Sequence, residues 1–247
     1  MDVIGLIPVR LNSTRLPSKA LLPIDGIPMI VHTMKRAMLA KKLKKVYVCT
    51  DSKEIEDVVK RYGGYVIPTS SQHLNGTERI AEAAEILNEK IDLYVDIQGD
   101  EPLIDPGHID EVVSAHAVNS NWDILLPSMP FAHPESNNIV KVMHDKSMKV
   151  ICLSRSVIPN SFRLKPKYYL KHLSIISFRP EALKKFANLE PAEIELVEGI
   201  ELMRAIENGM TIGTIYLNGE SFSVDVESDY VRAKAAIKND IHRNKYN

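Results

Sequence analysis

Val3-Ile4-Gly5-Leu6-Ile7-Pro8-Val9-Arg10-Leu11-Asn12-Ser13-Thr14-Arg15-Leu16-Pro17-Ser18-Lys19 carries an apolar run straight into a basic loop. The run Val3 to Ile7 predicts a buried strand, and the loop after it places cations at 10, 15 and 19 with hydroxyls between them. Arg forks onto phosphate oxygens, whereas Lys supplies a compact point charge. Pro8 and Pro17 restrict the loop and lower the entropy lost on holding a ligand. The pattern suits a polyanion at the end of a parallel strand, and a nucleoside triphosphate fits it. A solvated basic loop is the plain alternative. The sequence holds no G-x-x-x-x-G-K-[ST] and no G-x-G-x-x-G, which argues against P-loop and dinucleotide-binding readings.

Outward from this loop, strand and helix patterns alternate. Strands are expected at Lys45 to Cys49, Tyr65 to Ile67, Leu93 to Ile97 and Ile124 to Leu126, and helices at Pro28 to Leu39, Lys53 to Tyr62, Thr77 to Leu87 and Pro106 to Val118. Gly63-Gly64 stops the second helix. This alternation predicts an α/β fold with a mostly parallel central sheet and its ligand beyond the carboxyl ends of the strands. After Pro127 the runs shorten, at Ile139 to Val142, Lys149 to Leu153 and Leu170 to Phe178, so a smaller β-containing insert is expected over about 127–178. The Pro-bearing stretch between Ser154 and Tyr169 reads as an excursion for substrate covering or dimer contacts, or as a surface loop. Helices at Glu193 to Asn208 and Glu227 to Asn239 flank a strand at Thr211 to Leu217.

The 247 residues, 45% of them hydrophobic, suffice for one α/β domain with a small subdomain. A net charge of -1 gives no bulk attraction to nucleic acid, and basic residues are not interleaved with aromatic ones. Cys49 and Cys152 each lie in or beside an apolar run, which favours reduced thiols and a reducing compartment. Without a signal-type start or a run long enough for a membrane span, the expectation is a cytoplasmic protein.

Further sites fall at predicted strand ends. Asp100, in Asp96-Ile97-Gln98-Gly99-Asp100-Glu101-Pro102, is a natural Mg²⁺ ligand, and Gly99 permits the sharp exit that would turn it to the cleft. Mg²⁺ takes one or two carboxylates, so a second acid is expected; Asp225, before the last helix, supplies it, and its plain role of capping that helix is compatible with this one. Gly76-Thr77-Glu78-Arg79 opens a helix whose start could hold a phosphate, ribose or base edge. His172 sits within a β-like run, where a packed histidine is the ordinary reading. Glu195, Glu198, Glu201 and Arg204 recur every three residues on one expected helix, as solvated intrahelical pairs do.

Five motifs in order resemble the 3-deoxy-manno-octulosonate (KDO) cytidylyltransferases, or CMP-KDO synthetases. They are Ile7-Pro8-Val9-Arg10 with Ser13-Thr14-Arg15-Leu16-Pro17; Cys49-Thr50-Asp51; Gly76-Thr77-Glu78-Arg79-Ile80-Ala81-Glu82; Gln98-Gly99-Asp100-Glu101-Pro102; and Lys171-His172-Leu173. The resemblance implies a Rossmann-like nucleotidyltransferase fold, a homodimer, and CTP plus a 3-deoxy-ulosonic acid giving a CMP-sugar and diphosphate, for lipopolysaccharide or capsule. It further implies that Pro8, Arg10, Ser13, Arg15, Lys19, Thr77 and Arg79 contact the nucleotide. Gln98, His172, Glu198 and Glu201 would contact the sugar. Asp100 and Asp225 would hold Mg²⁺ and, with Lys19, form the catalytic set. The chain departs from the family's common wording at Ser18 and Ala20 beside Lys19, at Asn75, at Ser174 and Ile176, and after Asp225. These departures leave an amino-substituted octulosonate or a nonulosonic acid open as the sugar. A glycosyltransferase would show Asp-x-Asp where Gln98-Gly99-Asp100 stands, and a non-catalytic nucleotide-binding protein would bind without releasing diphosphate.

Overall fold

Strand β1 (Val3–Pro8) is wholly buried, and it ends where the basic loop begins. A computed structural model describes residues 1–13 and 15–246; Thr14 of the quoted loop and Asn247 lie outside the described residues. A short hairpin, β2 (Pro23–Ile24) with β3 (Ile27–Pro28), leads into α1 (Met29–Ala37). The alternation continues through β4 (Lys45–Thr50), α2 (Lys53–Arg61), β5 (Tyr65–Pro68), α3 (Gly76–Leu87), β6 (Leu93–Ile97) and α4 (Pro106–Val118). Ser52, Asn75 and Asp105 start their helices by accepting backbone N–H groups, and Gly63 leaves α2 at φ +74°.

Beyond α4 the chain forms β7 (Ile124–Leu125), then β8 (Ser128–Phe131), β9 (Lys141–His144), β10 (Val150–Ser154), β11 (Tyr169–His172) and β12 (Ile175–Phe178). Helices α5 (Pro180–Ala187), α6 (Glu193–Glu198) and α7 (Leu202–Glu207), strand β13 (Ile212–Gly213) and helix α8 (Glu227–Ala236) complete the elements used below. The central sheet has seven strands in the order β13-β7-β12-β6-β1-β4-β5, all parallel to their neighbours except β12, which runs antiparallel to β6 and β7. A smaller antiparallel sheet, β10-β9-β11-β8, stands beside it. This is the expected α/β class with a mostly parallel sheet.

Three expectations need correction. The run Leu170 to Phe178 is two strands: β11 belongs to the small sheet and β12 to the large one, with the chain crossing between them at Leu173-Ser174. The single helix over 193–208 breaks at Gly199, whose φ of +61° ends α6 before α7 begins. The strand expected at Thr211 to Leu217 is only two residues long, followed by an isolated bridge between Ser128 and Tyr216.

Two large apolar clusters cover the central sheet. A third joins Leu16 of the basic loop, Met29 of α1, Val224, and Ala233 and Ile237 at the chain's far end. It seats the loop and the last helix on one core. Among the described residues, no helix is long and apolar enough to cross a membrane. Both cysteines are free; Cys49 is buried and Cys152 half-buried.

Candidate active site

The carboxyl ends of β1 and β6 and the N-terminus of α3 converge on one cleft. Pro8, Arg10, Ser13, Arg15, Lys19, Arg79, Gln98, Asp100 and Asp225 all line it. Asp100 and Asp225 are brought together by the backbone, since the Val224 N–H donates to the Asp100 carbonyl at 2.9 Å. Lys19 joins their side chains: its Nζ lies 2.8 Å from Asp100 Oδ2 and 3.2 Å from Asp225 Oδ1. Arg15 adds a second cation, its Nη2 2.8 Å from the same Asp225 oxygen.

Helix capping falls to another acid. Asp229 Oδ2 accepts the Asp225 and Val226 N–H groups at 3.0 and 3.1 Å, which leaves the Asp225 carboxylate facing the cleft. Nor does Gly99 serve through an unusual backbone angle. A Cβ there would stand 3.2 Å from the Pro8 carbonyl oxygen and 3.3 Å from Val9 Cβ, so glycine lets the β6 exit pass close against the β1 exit.

Arg79 is nearly buried at the cleft wall, donating to Thr69 Oγ1 at 2.6 Å and pairing with Asp51 Oδ1 at 3.4 Å. Thr77 is fully buried and absent from the cleft wall; its hydroxyl has no partner among the described residues. The Thr77 N–H points to Glu201 Oε2 at 3.5 Å. A second recess, adjoining the cleft at Asn75 and Gly76, is lined by His172 and Glu201. Burial pushes His172 down to about 4, so its imidazole is neutral near pH 7, and burial raises the Glu201 carboxyl.

Glu198 stands apart from both recesses. Its oxygens accept from Ser154 Oγ at 2.7 Å and the Arg155 N–H at 2.9 Å, and these bonds hold its carboxyl below the usual range. The expected solvated pairing along one helix is also replaced. Arg204 is 1% exposed and forks onto Glu195 across the Gly199 break, both bonds at 2.7 Å, while Nη1 reaches Glu78 of α3 at 3.1 Å.

The sequence pattern of the cytidylyltransferase family matches residues 4–212. The 3-deoxy-manno-octulosonate cytidylyltransferase of Leptospira biflexa is 38% identical over 231 residues, 92% of this chain and 93% of that protein. That of Rickettsia massiliae is 39% identical over 236 residues, 94% of each chain. A solved CMP:2-keto-3-deoxy-manno-octonic acid synthetase, complexed with CTP, superposes with a TM-score of 0.92 at 28% identity, covering 98% of this chain and all of that one. The chain belongs to the CMP-KDO synthetase family. It is therefore a nucleotidyltransferase.

Several parts of this synthetase-family cleft receive no role from the sequence. His73 lines the cleft with Nε2 2.6 Å from Glu82 Oε2, and Asn12 lines it from the basic loop. Asp96, two residues before Gln98, is fully buried beneath the cleft, where burial and then the Glu201 charge raise its carboxyl well above the ordinary range. Glu101 is also buried, accepts from Ser221 Oγ at 2.8 Å, and thereby fastens the segment leading to Asp225. Asn12 and His73 are in loops, Asp96 is inside β6 and Glu101 follows it, and no local pattern says which neighbour each will meet.

Proposed function

We propose that the chain transfers cytidylate from CTP to KDO or a closely similar 3-deoxy-ulosonic acid, with Mg²⁺, releasing diphosphate. The observation that carries this reading is the Lys19 ammonium seated between Asp100 and Asp225 in a cleft lined by Arg10, Ser13 and Arg15. Two carboxylates facing one cation position suit Mg²⁺, which takes one or two such ligands and fills its remaining positions with phosphate oxygens and water. Bound there, Mg²⁺ supplies charge neutralisation and acidifies a ligated hydroxyl.

The residues then divide the work. Arg10, Ser13, Arg15 and Lys19 hold the triphosphate and stabilise the departing diphosphate as charge develops on it. Arg79, fixed by Thr69 and Asp51, faces the nucleoside. Gln98, His172 and Glu201 line the space for the sugar, with His172 acting as a neutral hydrogen-bonding group. Positioning supplies much of the rate, because the anomeric hydroxyl must be in line with the bond being broken. Its oxygen bonds to the α-phosphorus, the α–β bridging bond breaks, and the hydroxyl proton passes to solvent. A homodimer through the excursion after β10 is supported by its outward apolar side chains, Phe162 at 87% and Leu164 at 85% exposure.

Diphosphate release with CTP, Mg²⁺ and a panel of ulosonic acids tests the reading. Turnover is expected with KDO or one of its amino-substituted or nonulosonic counterparts, and Asp100→Asn and Asp225→Ala are each expected to lose it by roughly 100-fold or more. Near-normal turnover in both folded variants would sink the metal assignment.

A further inference from the structure

Gln98 reaches the cleft with one end of its amide already taken. Its Nε2 donates to Asp96 Oδ2 at 2.8 Å, and Asp96 itself has no exposed surface. Asp96 is in β6 and Gln98 directly follows that strand, so the bond ties the first residue after β6 back to the acid two positions earlier. The other Asp96 oxygen, Oδ1, has no partner among the described residues. Leaving a carboxyl buried and half-satisfied is destabilising. Fold stability alone gives no reason for an acid here.

The start of α3 confines the same amide from the other side. A Cβ on Gly76 would stand 3.3 Å from Gln98 Nε2 and 3.2 Å from Pro8 Cγ, so the nitrogen end is enclosed. With Asp96 Oδ2 accepting, the Gln98 nitrogen is the donor of this pair. The oxygen of Gln98 is then the end turned to the ligand. It takes no hydrogen bond from the described side chains, and Gln98 lines the cleft.

We propose that Asp96 is a positioning residue: by taking the Gln98 N–H from beneath the cleft it fixes that amide oxygen-outward, so the site offers an acceptor to a donor group of the sugar. The specificity follows from hydrogen-bond polarity. A hydroxyl or amino substituent at that point satisfies the Gln98 oxygen, whereas a deoxy or O-methyl substituent leaves it buried against the ligand without a donor. The sugar's identity rests on the proposed function; the orientation of the amide does not.

Asp96→Asn and Asp96→Leu separate the role from packing. Asn retains an acceptor oxygen at the same place, while Leu removes it. In steady-state kinetics with CTP and the ulosonic acid that turns over, Asp96→Leu is expected to raise the sugar KM by roughly 10-fold, the equivalent of one hydrogen bond. The CTP KM should stay within about 2-fold and Asp96→Asn within about 3-fold of the parent. The independent readout is the Gln98 side-chain amide pair in ¹H–¹⁵N spectra, assigned by its disappearance in Gln98→Leu. It should shift and lose exchange protection in Asp96→Leu and stay close to its parent position in Asp96→Asn. Unmoved Gln98 resonances in Asp96→Leu would overturn the proposal, as would equal impairment of both variants with an unchanged sugar KM. If no ulosonic acid turns over, the functional reading fails, and the amide spectra still decide the role of Asp96.

Discussion

Lys19 Nζ sits 2.8 Å from Asp100 Oδ2, so a residue of the loop proposed to grip phosphate is also the counter-ion of a carboxylate proposed to bind metal. Both partners are partly screened by water, at 17% and 25% exposure. A divalent cation binding without nucleotide therefore competes with an ammonium already in place. Triphosphate offers that ammonium another anion and frees the carboxylates. Lys19→Met is expected to bind Mn²⁺ roughly 10-fold more tightly in the absence of nucleotide, because the competing charge is gone. It should turn over at least about 100-fold more slowly, because the diphosphate loses a cation. Electron paramagnetic resonance of free Mn²⁺ checks the first expectation and diphosphate release the second. Equal Mn²⁺ affinity in the two proteins would show that Lys19 does not obstruct the site.

Arg204 holds α3 to the helix pair at Gly199. Its guanidinium is buried between Glu195 and Glu78 and stacks 4.9 Å from the centre of the Phe186 ring. Arg204→Met leaves Glu195 buried without its partner and is expected to lower unfolding free energy by about 3–5 kcal/mol. Urea denaturation followed by circular dichroism measures it; a loss below about 1 kcal/mol would place this pair with ordinary surface bridges.

Ser18, beside Lys19, lies at φ 50° and ψ 30°, in the left-handed region. Any side chain is disfavoured there, whereas glycine adopts this conformation without steric cost. Ser18→Gly relieves the strain but makes the unfolded chain more flexible, so a net gain of about 0.5–1 kcal/mol is expected in the same denaturation experiment.

His116 is fully buried, with Nδ1 2.8 Å from Ser177 Oγ and Nε2 3.0 Å from the Trp122 carbonyl. The carbonyl can only accept, so Nε2 carries the proton and the Ser177 hydroxyl donates to Nδ1. Burial lowers the imidazole from 6.5 to about 4. The unfolded chain therefore binds a proton that the folded one refuses, and stability falls as pH drops from about 6.5 to about 4, by about 3 kcal/mol in all. His116→Gln should flatten this slope between urea midpoints measured at pH 7 and pH 5. An unchanged slope would assign the acid sensitivity to other groups.

The alternating half of the chain was legible because each strand is an apolar run bounded by a capped helix or a glycine exit. That the basic loop, Asp100 and Asp225 would meet in one cleft was legible because all three follow strands or precede a helix at the same edge of the sheet. What escaped was decided by partners distant in sequence. Over Leu170 to Phe178 the β pattern does not mark where the chain changes sheets; the change follows from the His172 N–H bonding Val140 and the Gln98 N–H bonding Ser174. Gly199 was visible as a glycine inside a helical pattern, and its φ of +61° turns an apparent row of glutamates into three different environments. Glu195 is locked to Arg204, Glu198 to Ser154 and Arg155, and Glu201 faces the recess. Spacing cannot show that a cation such as Arg204 lies wholly inside the protein.

The bond from the Val224 N–H to the Asp100 carbonyl has a consequence for biosynthesis. A nascent chain that has just exposed Glu220 already contains every strand of the central sheet and the whole basic loop, yet it lacks Val224, Asp225 and the helix that packs Leu16. One carboxylate faces the cleft and its companion has not been translated. On the proposed roles of Asp100 and Asp225, catalytic competence is a late event in the life of the polypeptide, arriving only when its last tenth folds back onto its first.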